Sequence, residues 1–549
     1  MGGGTPGGSE RCRGLARPGR VLIVDGYTDE PGGFGVPPYI DVYPRLVAGA
    51  LWAADKTIRV DYTAVDSFRS SRVWLQRAAS YDVLVFIAGV VVPGRYLGGR
   101  PAEPAELEEW GRLLSPHADV YLVGPAARWG LGDAGGTPAV PPARLARAGY
   151  QLVRGDPEIF FYELALHGPE RARPNAVRRD YGLANRALVL GARIIRQHPS
   201  YGRNLIVELE TYRGCSRWVS GGCSFCVEPL RGRPIQRRPE EVVREVEALY
   251  RWGARGFRLG RQADILVYGS RDLGVEEWPK PDPDALRRLF HGIRQAAPNL
   301  RVLHIDNVNP GTITRHPRES REALKVIVYY HTDGDVAAMG LESADPKVAK
   351  MNNLNVSGEE VVRAVEIVNQ VGSLRGPSGL PHLLPGINFV LGLPGERRST
   401  FHYNRAVLEE ILERGLLVRR VNIRRVLVIP ATRLSRLWRG MNTKLEPYRR
   451  SFTRWVRRVF DREMLRRIAP PGTVISDLWV EGCESGVCYM RQAGSYPLVA
   501  ATRCRLPRGI HVSRAIVVGV HSSRSVEAVP MHAHGEADLT ACSNGWTAG

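Results

Sequence analysis

Short runs of consecutive apolar residues recur along the first 430 residues, and stretches of helical length lie between most of them. The first series is RVLIVDG (20–26), TIRVDYTAV (57–65), YDVLVFIAGVVV (81–92), ADVYLVG (118–124) and YQLVRGD (150–156). Strands apolar on both faces, alternating with helices, predict a parallel sheet covered on both sides. A Rossmann-like or flavodoxin-like domain is therefore expected over 19–170. Its first loop, DGYTDEPGGFGVPPYIDVYPRL, is rich in Gly, Pro and Tyr and lacks the spaced glycines of a dinucleotide site. The loop is expected to pack against the next domain rather than to hold a cofactor.

After a connector at 171–198 a second series begins: NLIVELE (204–210), GFRLGRQAD (256–264), RVLHIDNV (301–308), VAAMGLES (336–343), GINFVLGLPGE (386–396) and RRVNIRRVLVIP (419–430). Segments such as PEEVVREVEALYRWG and SGEEVVRAVEIVNQVG separate them, apolar at three- and four-residue spacing. Six β/α units over 199–435 predict a partial parallel (β/α)6 barrel of the TIM type, with its chemistry at the carboxyl ends of the strands. A basic helical segment follows at 436–473. Within it, 445–469 reads as one amphipathic helix, with Tyr448, Phe452, Trp455, Val459 and Phe460 on one side and Arg450, Arg454, Arg457 and Arg458 largely elsewhere. Short strand signals predict a small β module at 474–530, resembling oligonucleotide-binding (OB) or TRAM-type barrels. The Gly/Pro/Arg-rich start (1–18) is expected to be disordered and 531–549 to be a loose tail. The predicted fold class is α/β.

The chain has eight cysteines in 549 residues, too few and too scattered for a disulfide framework. Three stand close together in RGCSRWVSGGCSFCVEP: Cys215, Cys223 and Cys226. They follow the first strand of the second series, on the face where a barrel carries its chemistry. Zinc takes four ligands, usually as two close pairs, and here one close pair and one distant cysteine have no histidine nearby. A [4Fe–4S] cluster held by three thiolates keeps one iron open to a substrate, and this is the favoured reading, with structural zinc the alternative. Cys483 and Cys488, with no further pair nearby, are read as ordinary thiols.

A strand, three cysteines in a loop and a β/α barrel together resemble the radical S-adenosylmethionine superfamily across roughly 200–430. The family's usual trio is spaced three and two; here the first interval is seven. The resemblance implies that Cys215, Cys223 and Cys226 are the catalytic cluster ligands and that Phe225 lies against the adenine. It implies that Glu342, in MGLESADPKVAKMNN, bonds the ribose hydroxyls. Gly392 and Gly395, in FVLGLPGE, would let the backbone approach the adenine. At the second strand the family's GGE is replaced by LGRQAD, so Gly260 and Gln262 are the candidates for the methionine amino group. The segments DGYTDEPGGFGVPPYIDVYPR, RLGRQADIL and RQAGSYPLV extend the resemblance to a group of archaeal radical S-adenosylmethionine proteins that normally end in a helix-hairpin-helix, which is not evident here.

The cofactors so implied are a [4Fe–4S] cluster and S-adenosylmethionine, cleaved reductively to a 5′-deoxyadenosyl radical with an electron from a donor such as ferredoxin or flavodoxin. Methylthiotransferase relatives bind a second cluster in the N-terminal domain through three cysteines; this domain has none, and Cys12 alone precedes it. No Asp-x-His-x-x-Gly motif occurs, so cobalamin is not expected. The net charge of +20 and pI near 9.9 attract polyanions. A radical enzyme modifying RNA, above all tRNA, is the leading expectation. The alternatives are a radical enzyme for a small metabolite or peptide, and a non-catalytic nucleic-acid-binding iron–sulfur protein. No apolar run approaches the ~18 residues of a membrane span and no signal-peptide core is seen, so a cytoplasmic protein without a membrane partner is expected.

Overall fold

The computed structural model describes residues 17–30, 33–34, 37–89 and 99–534. Most of the expected disordered start, with Cys12, and residues 535–549 of the expected tail lie outside these. The N-terminal sheet contains five parallel strands: Arg20–Asp25, Arg59–Ala64, Val83–Ile87, Asp119–Val123 and Gln151–Leu152. Numbered along the chain, their spatial order is 2-1-3-4-5, the flavodoxin-type arrangement. Val21 and Ile23 pack into one core while Leu22 and Val24 pack into another, which is why the run is apolar at every position.

The first loop does leave this domain. Tyr39–Ile40 pair in parallel with Ile206–Val207 of the next sheet, and Asp41 caps the buried helix Val42–Ala54. That helix crosses Gly182–Gly191 in backbone contact. A Cβ on Gly49 would stand 1.7 Å from the Ala187 carbonyl oxygen, and one on Gly191 would stand 2.0 Å from that of Arg45. The expected connector is thus largely helical.

Six parallel strands follow in chain order: Ile206–Glu210, Gly256–Gly260, Val302–Ile305, Asp335–Glu342, Leu383–Leu391 and Arg420–Arg425. The two halves meet through an Asn307–Ala338 bridge, giving an open, partial barrel. Its outer helices include Pro239–Arg251, Pro283–Ala296, Pro317–Tyr330, Gly358–Gly372 and Arg398–Glu413.

Residues 446–468 run antiparallel to the sixth strand: Glu446 pairs with Arg425 at the strand's end, and Arg457 donates to the Val421 carbonyl near its start. The expected single helix contains a π-turn, Val456–Phe460. This wide turn shifts the register, so Val459 faces solvent while Val456, Phe460 and Met464 are buried. Arg457 turns inward onto Asp461 (2.5 Å).

The C-terminal module is a closed barrel of Val474–Glu484, Val487–Gln492, Val499–Thr502, His511–Val520 and Ser525–His534. The second of these was not anticipated, and the last runs past Pro530. Cys483 and Cys488 are opposite each other across the first hairpin and form a disulfide, correcting the expectation of free thiols. The module sits at the amino ends of the large barrel's strands. Asp477 pairs with Arg301, Ser495 bonds His304, and Arg419 donates to the Tyr496 carbonyl. Tyr496 enters the lumen, where its hydroxyl donates to Asp306 (3.0 Å) between the guanidinium groups of Arg258 and Arg420.

The N-terminal domain is fixed to the barrel by charge. Arg45, on the Val42–Ala54 helix, and Arg237 flank the Glu245 carboxylate, and all three side chains have no exposure. Arg45 also donates to the Glu208 carbonyl, and Arg237 to the Glu210 carbonyl and the Asn185 side chain. Burial alone would raise the Glu245 carboxyl, but the two arginines hold it below the usual range. Glu245→Gln leaves two buried cations without their counter-charge and should destabilise the fold by about 3–5 kcal/mol, read as a lower denaturant midpoint. A change below 1 kcal/mol would refute this assignment.

Candidate active site

The first barrel strand ends at Glu210, and Tyr212–Arg213 pair with Ile235–Gln236 to close a loop that contains the three cysteines. Tyr212 is buried and donates to the Asp264 carbonyl, fixing the loop's base. The residues that widen the loop form a 3-10 turn, Ser216–Ser220, and they pin it to its neighbours. Arg217 donates to Glu277 (2.8 Å), beyond the second strand, and to the Asn353 carbonyl (3.0 Å), beyond the fourth. Asn353, itself left-handed at φ 49°, donates to the Gly222 carbonyl. Ser224 bonds Asn352, and its carbonyl accepts from the Leu434 amide, beyond the sixth strand. The trio is therefore tied to loops from three sides of the barrel's carboxyl face.

Cys226 donates its amide to the Cys223 carbonyl (3.1 Å), and the thiols sense one another's charge. Burial pushes Cys215 up to about 12 and raises Cys223 and Cys226; neighbouring thiols add to the rise at Cys215 and Cys226, while at Cys223 Glu342 adds to it and Arg217, 3.1 Å from the sulfur, opposes it. Three half-buried thiolates gathered in one loop require compensating positive charge, which iron would supply. Among the described residues no three Cys, His, Asp or Glu side chains are gathered to hold a single metal ion. Tetrahedral zinc at Zn–S ≈ 2.3 Å needs its sulfurs tightly bunched, whereas thiolates on different irons of a cluster stand farther apart. The donor set fits the cluster better than zinc.

The other predicted residues surround this loop. Glu342 ends the fourth strand at φ 63°, and its Oε2 is buried with no hydrogen-bond partner. Burial raises its carboxyl to about 8, with Arg424 opposing; its charge is also felt at Cys223. Phe225 packs among Val348, Leu393, Val426 and Leu434, beside the fifth-strand glycines. Gly392 and Gly395 have φ of 92° and 90°; a Cβ would come within 2.5 Å of the Met441 sulfur and 2.7 Å of the Met351 sulfur, respectively. Gly260 ends the second strand opposite Glu210. The Gln262 side chain is buried, accepting from Thr211 (3.1 Å) and donating to the Leu259 carbonyl (2.8 Å); one amide N–H remains for a ligand. Arg217, Glu277, Asn353 and Arg424 were not anticipated. Only the unusual cysteine spacing signalled the first.

The N-terminal domain roofs this face. The Gly136 and Ala139 amides donate to the Val426 and Val428 carbonyls (2.7 and 2.9 Å). Trp129 and Ala139 pack with Val227, Leu427 and Ile429.

A family model, the radical SAM superfamily, matches residues 209–423. An uncharacterized protein of Methanocaldococcus jannaschii is 43% identical over 88% of each chain. A tRNA-2-methylthio-N(6)-dimethylallyladenosine synthase of Protochlamydia amoebophila is 24% identical over 36% of this chain and 38% of its own. Among solved structures, the methyltransferase TsrM from Kitasatospora setae, with cobalamin and a [4Fe–4S] cluster bound, aligns at TM-score 0.49 and 16% identity, over 76% of this chain and 74% of that one.

The isolated Glu342 carboxyl has a thermodynamic signature. Below pH 4.5 both folded and unfolded chains are protonated there; as pH rises toward 8 the unfolded chain ionises first, and the fold loses about 1.4 kcal/mol per pH unit. Without S-adenosylmethionine, Glu342→Gln should therefore gain stability over wild type progressively from pH 5 to 8 in denaturant titrations. A pH-independent difference would refute the unpartnered carboxyl.

Proposed function

Because the chain belongs to the radical S-adenosylmethionine superfamily and is a radical SAM enzyme, we propose that it modifies RNA, with tRNA the first candidate, by hydrogen abstraction at the roofed face of its barrel. When bound, a [4Fe–4S] cluster with S-adenosylmethionine supplies a 5′-deoxyadenosyl radical. Cys215, Cys223 and Cys226 hold the cluster, and the unpartnered Glu342 oxygen accepts from the ribose hydroxyls. Phe225, Gly392 and Gly395 frame the adenine, while Gly260 and the spare N–H of Gln262 meet the methionine end. The roof at 129–140 keeps water from the reacting atoms. An electron donor of the ferredoxin or flavodoxin kind reduces the cluster. No cobalamin enters this reading: the ends of the first N-terminal strands offer Asp25, Tyr27 and Asp66, and no Asp-x-His-x-x-Gly sequence occurs. Among the described residues no helix is long and apolar enough to cross a membrane; a cytoplasmic location is part of the proposal.

The observation that carries RNA is an arginine stripe. Arg450, Arg454 and Arg458 are exposed along the helix beside the sixth strand, and among the described residues Arg454 and Arg458 have no ion-pair partner. The 446–468 helix spans about 34 Å, from the cysteine-bearing face to the C-terminal barrel. That barrel's strand order, 1-2-3-5-4 with 1 closing on 4, is the order of oligonucleotide-binding barrels, and Arg503, Arg505 and Arg508 are exposed on it. The tRNA-modifying relative points the same way. A small metabolite or peptide is the second reading, favoured by the roof, which narrows the approach to the site.

Anaerobic reconstitution should give about four irons per chain, as one cluster requires, and reductive cleavage of S-adenosylmethionine. The triple Cys→Ala variant should lose both, and protein supplied with cobalamin should show no corrinoid absorbance. Iron retained by the triple variant would refute the ligand assignment; a stoichiometric corrinoid would refute that part of the reading. Absence of cleavage by the loaded protein would favour a non-catalytic role.

Changing Arg450, Arg454 and Arg458 together to Gln should weaken RNA binding. It should also flatten the log–log salt dependence by about 2–3 units, nearly one per phosphate contact. Cleavage of S-adenosylmethionine without RNA should be unchanged. Equal affinity and slope would remove the helix from the RNA site and favour the small-substrate reading.

A further inference from the structure

Seven residues between the first two cysteines leave room for a side chain to turn back onto the second, and Arg217 does so. It is 4% exposed. Its Nη1 lies 3.1 Å from the Cys223 sulfur, its Nε 2.8 Å from Glu277 Oε1, and its Nη2 3.0 Å from the Asn353 carbonyl oxygen. The anchors are themselves held. Glu277 also accepts from the Ser220 hydroxyl (2.8 Å), its carbonyl accepts from Ser216 (2.9 Å), and Asn353 holds the loop through the Ser220 and Gly222 carbonyls. With two of its nitrogens fixed, the guanidinium has little freedom to leave the sulfur. Burial strengthens the interaction, because water does not screen it.

Resting on the cluster reading above, we propose that Arg217 is a positioning and tuning residue that sets the cluster's reduction potential through an N–H···S bond to Cys223. One electron enters the cluster from the external reductant and adds one negative charge to the iron–sulfur core; no bond is made or broken in that step. A fixed cation donating to a ligand sulfur stabilises the more negative state, and hydrogen bonds to the sulfurs are a recognised control of such potentials. The inserted turn thereby makes the cluster easier to reduce.

The test uses full-length, anaerobically reconstituted wild type and Arg217→Gln, titrated with dithionite and followed by electron paramagnetic resonance. Arg217→Gln should keep its iron, and its reduction should become at least tenfold less favourable, a fall of 59 mV for a one-electron couple. Arg217→Lys keeps the charge but cannot reach both anchors and the sulfur with planar geometry, and should fall between the two. An unchanged midpoint with full iron content overturns the proposal. A second readout needs no variant: in wild-type protein carrying 15N-arginine, the reduced cluster should show a hyperfine coupling to 15N, and its absence also overturns the proposal. If wild type itself takes up no cluster, the cluster reading has failed instead.

Discussion

Arg45, Glu245 and Arg237 are the charges on which the rest of the molecule depends. They lie where the Val42–Ala54 helix, the first barrel strand, the Gly182–Gly191 helix and the Pro239–Arg251 helix meet. A single buried carboxylate between two arginines would be poorly compensated, and the surrounding backbone adds to it: the carbonyls of Glu208, Glu210 and Glu241 accept further guanidinium donors. Those carbonyls belong to the strand that leads into the cysteine loop and to the helix that follows that loop. The geometry that places the N-terminal domain over the barrel is therefore the same geometry that orients the cysteines, and neither can be set without the other. Apolar residues of similar volume would stabilise such a place as well, but they would not specify which helix faces which strand end.

The lumen follows the same rule. Arg258 is bonded to Glu208 (3.0 Å) and Asp306 (2.5 Å), and Asp306 accepts from Tyr496. Charged side chains fill the middle of the open barrel, where a closed one would carry layers of Val, Ile and Leu. The carboxyl end is then left for the cysteines and Glu342, and the amino end is closed by a loop of the C-terminal module.

Much of this was legible in the sequence. VLIV and VLVFI mark buried strands because both faces of the N-terminal sheet pack, and the six barrel strands stand out for the same reason. Glu342, Gly392, Gly395 and the cysteines stand out as candidates because each lies in a contiguous motif. The misses share a cause in tertiary structure. VCYMRQ is too polar to announce a strand, and it is one because the barrel closes around it. Val459 was put on the wrong side because a π-turn breaks the 3.6-residue period on which the assignment rested. Beyond the widened cysteine spacing nothing in the sequence marks Arg217, because its contacts depend on Glu277 and Asn353, which lie 60 and 136 residues away in sequence. Gln262 is a candidate by position alone, and its partners Thr211 and Leu259 cannot be read from the replaced motif.

The hydroxyl of Tyr39 donates to the carbonyl of Gly494, 455 residues along the chain (2.9 Å). Translation at about 5–20 residues per second separates their synthesis by roughly 20–90 s. Throughout that interval the Tyr39–Ile40 strand lacks this hydroxyl's acceptor and the Arg258–Asp306 pair has no tyrosine beneath it. The charged interior of the barrel is open to water until the segment around Tyr496 leaves the ribosome. A cluster held at the carboxyl end would until then have no closed floor beneath it.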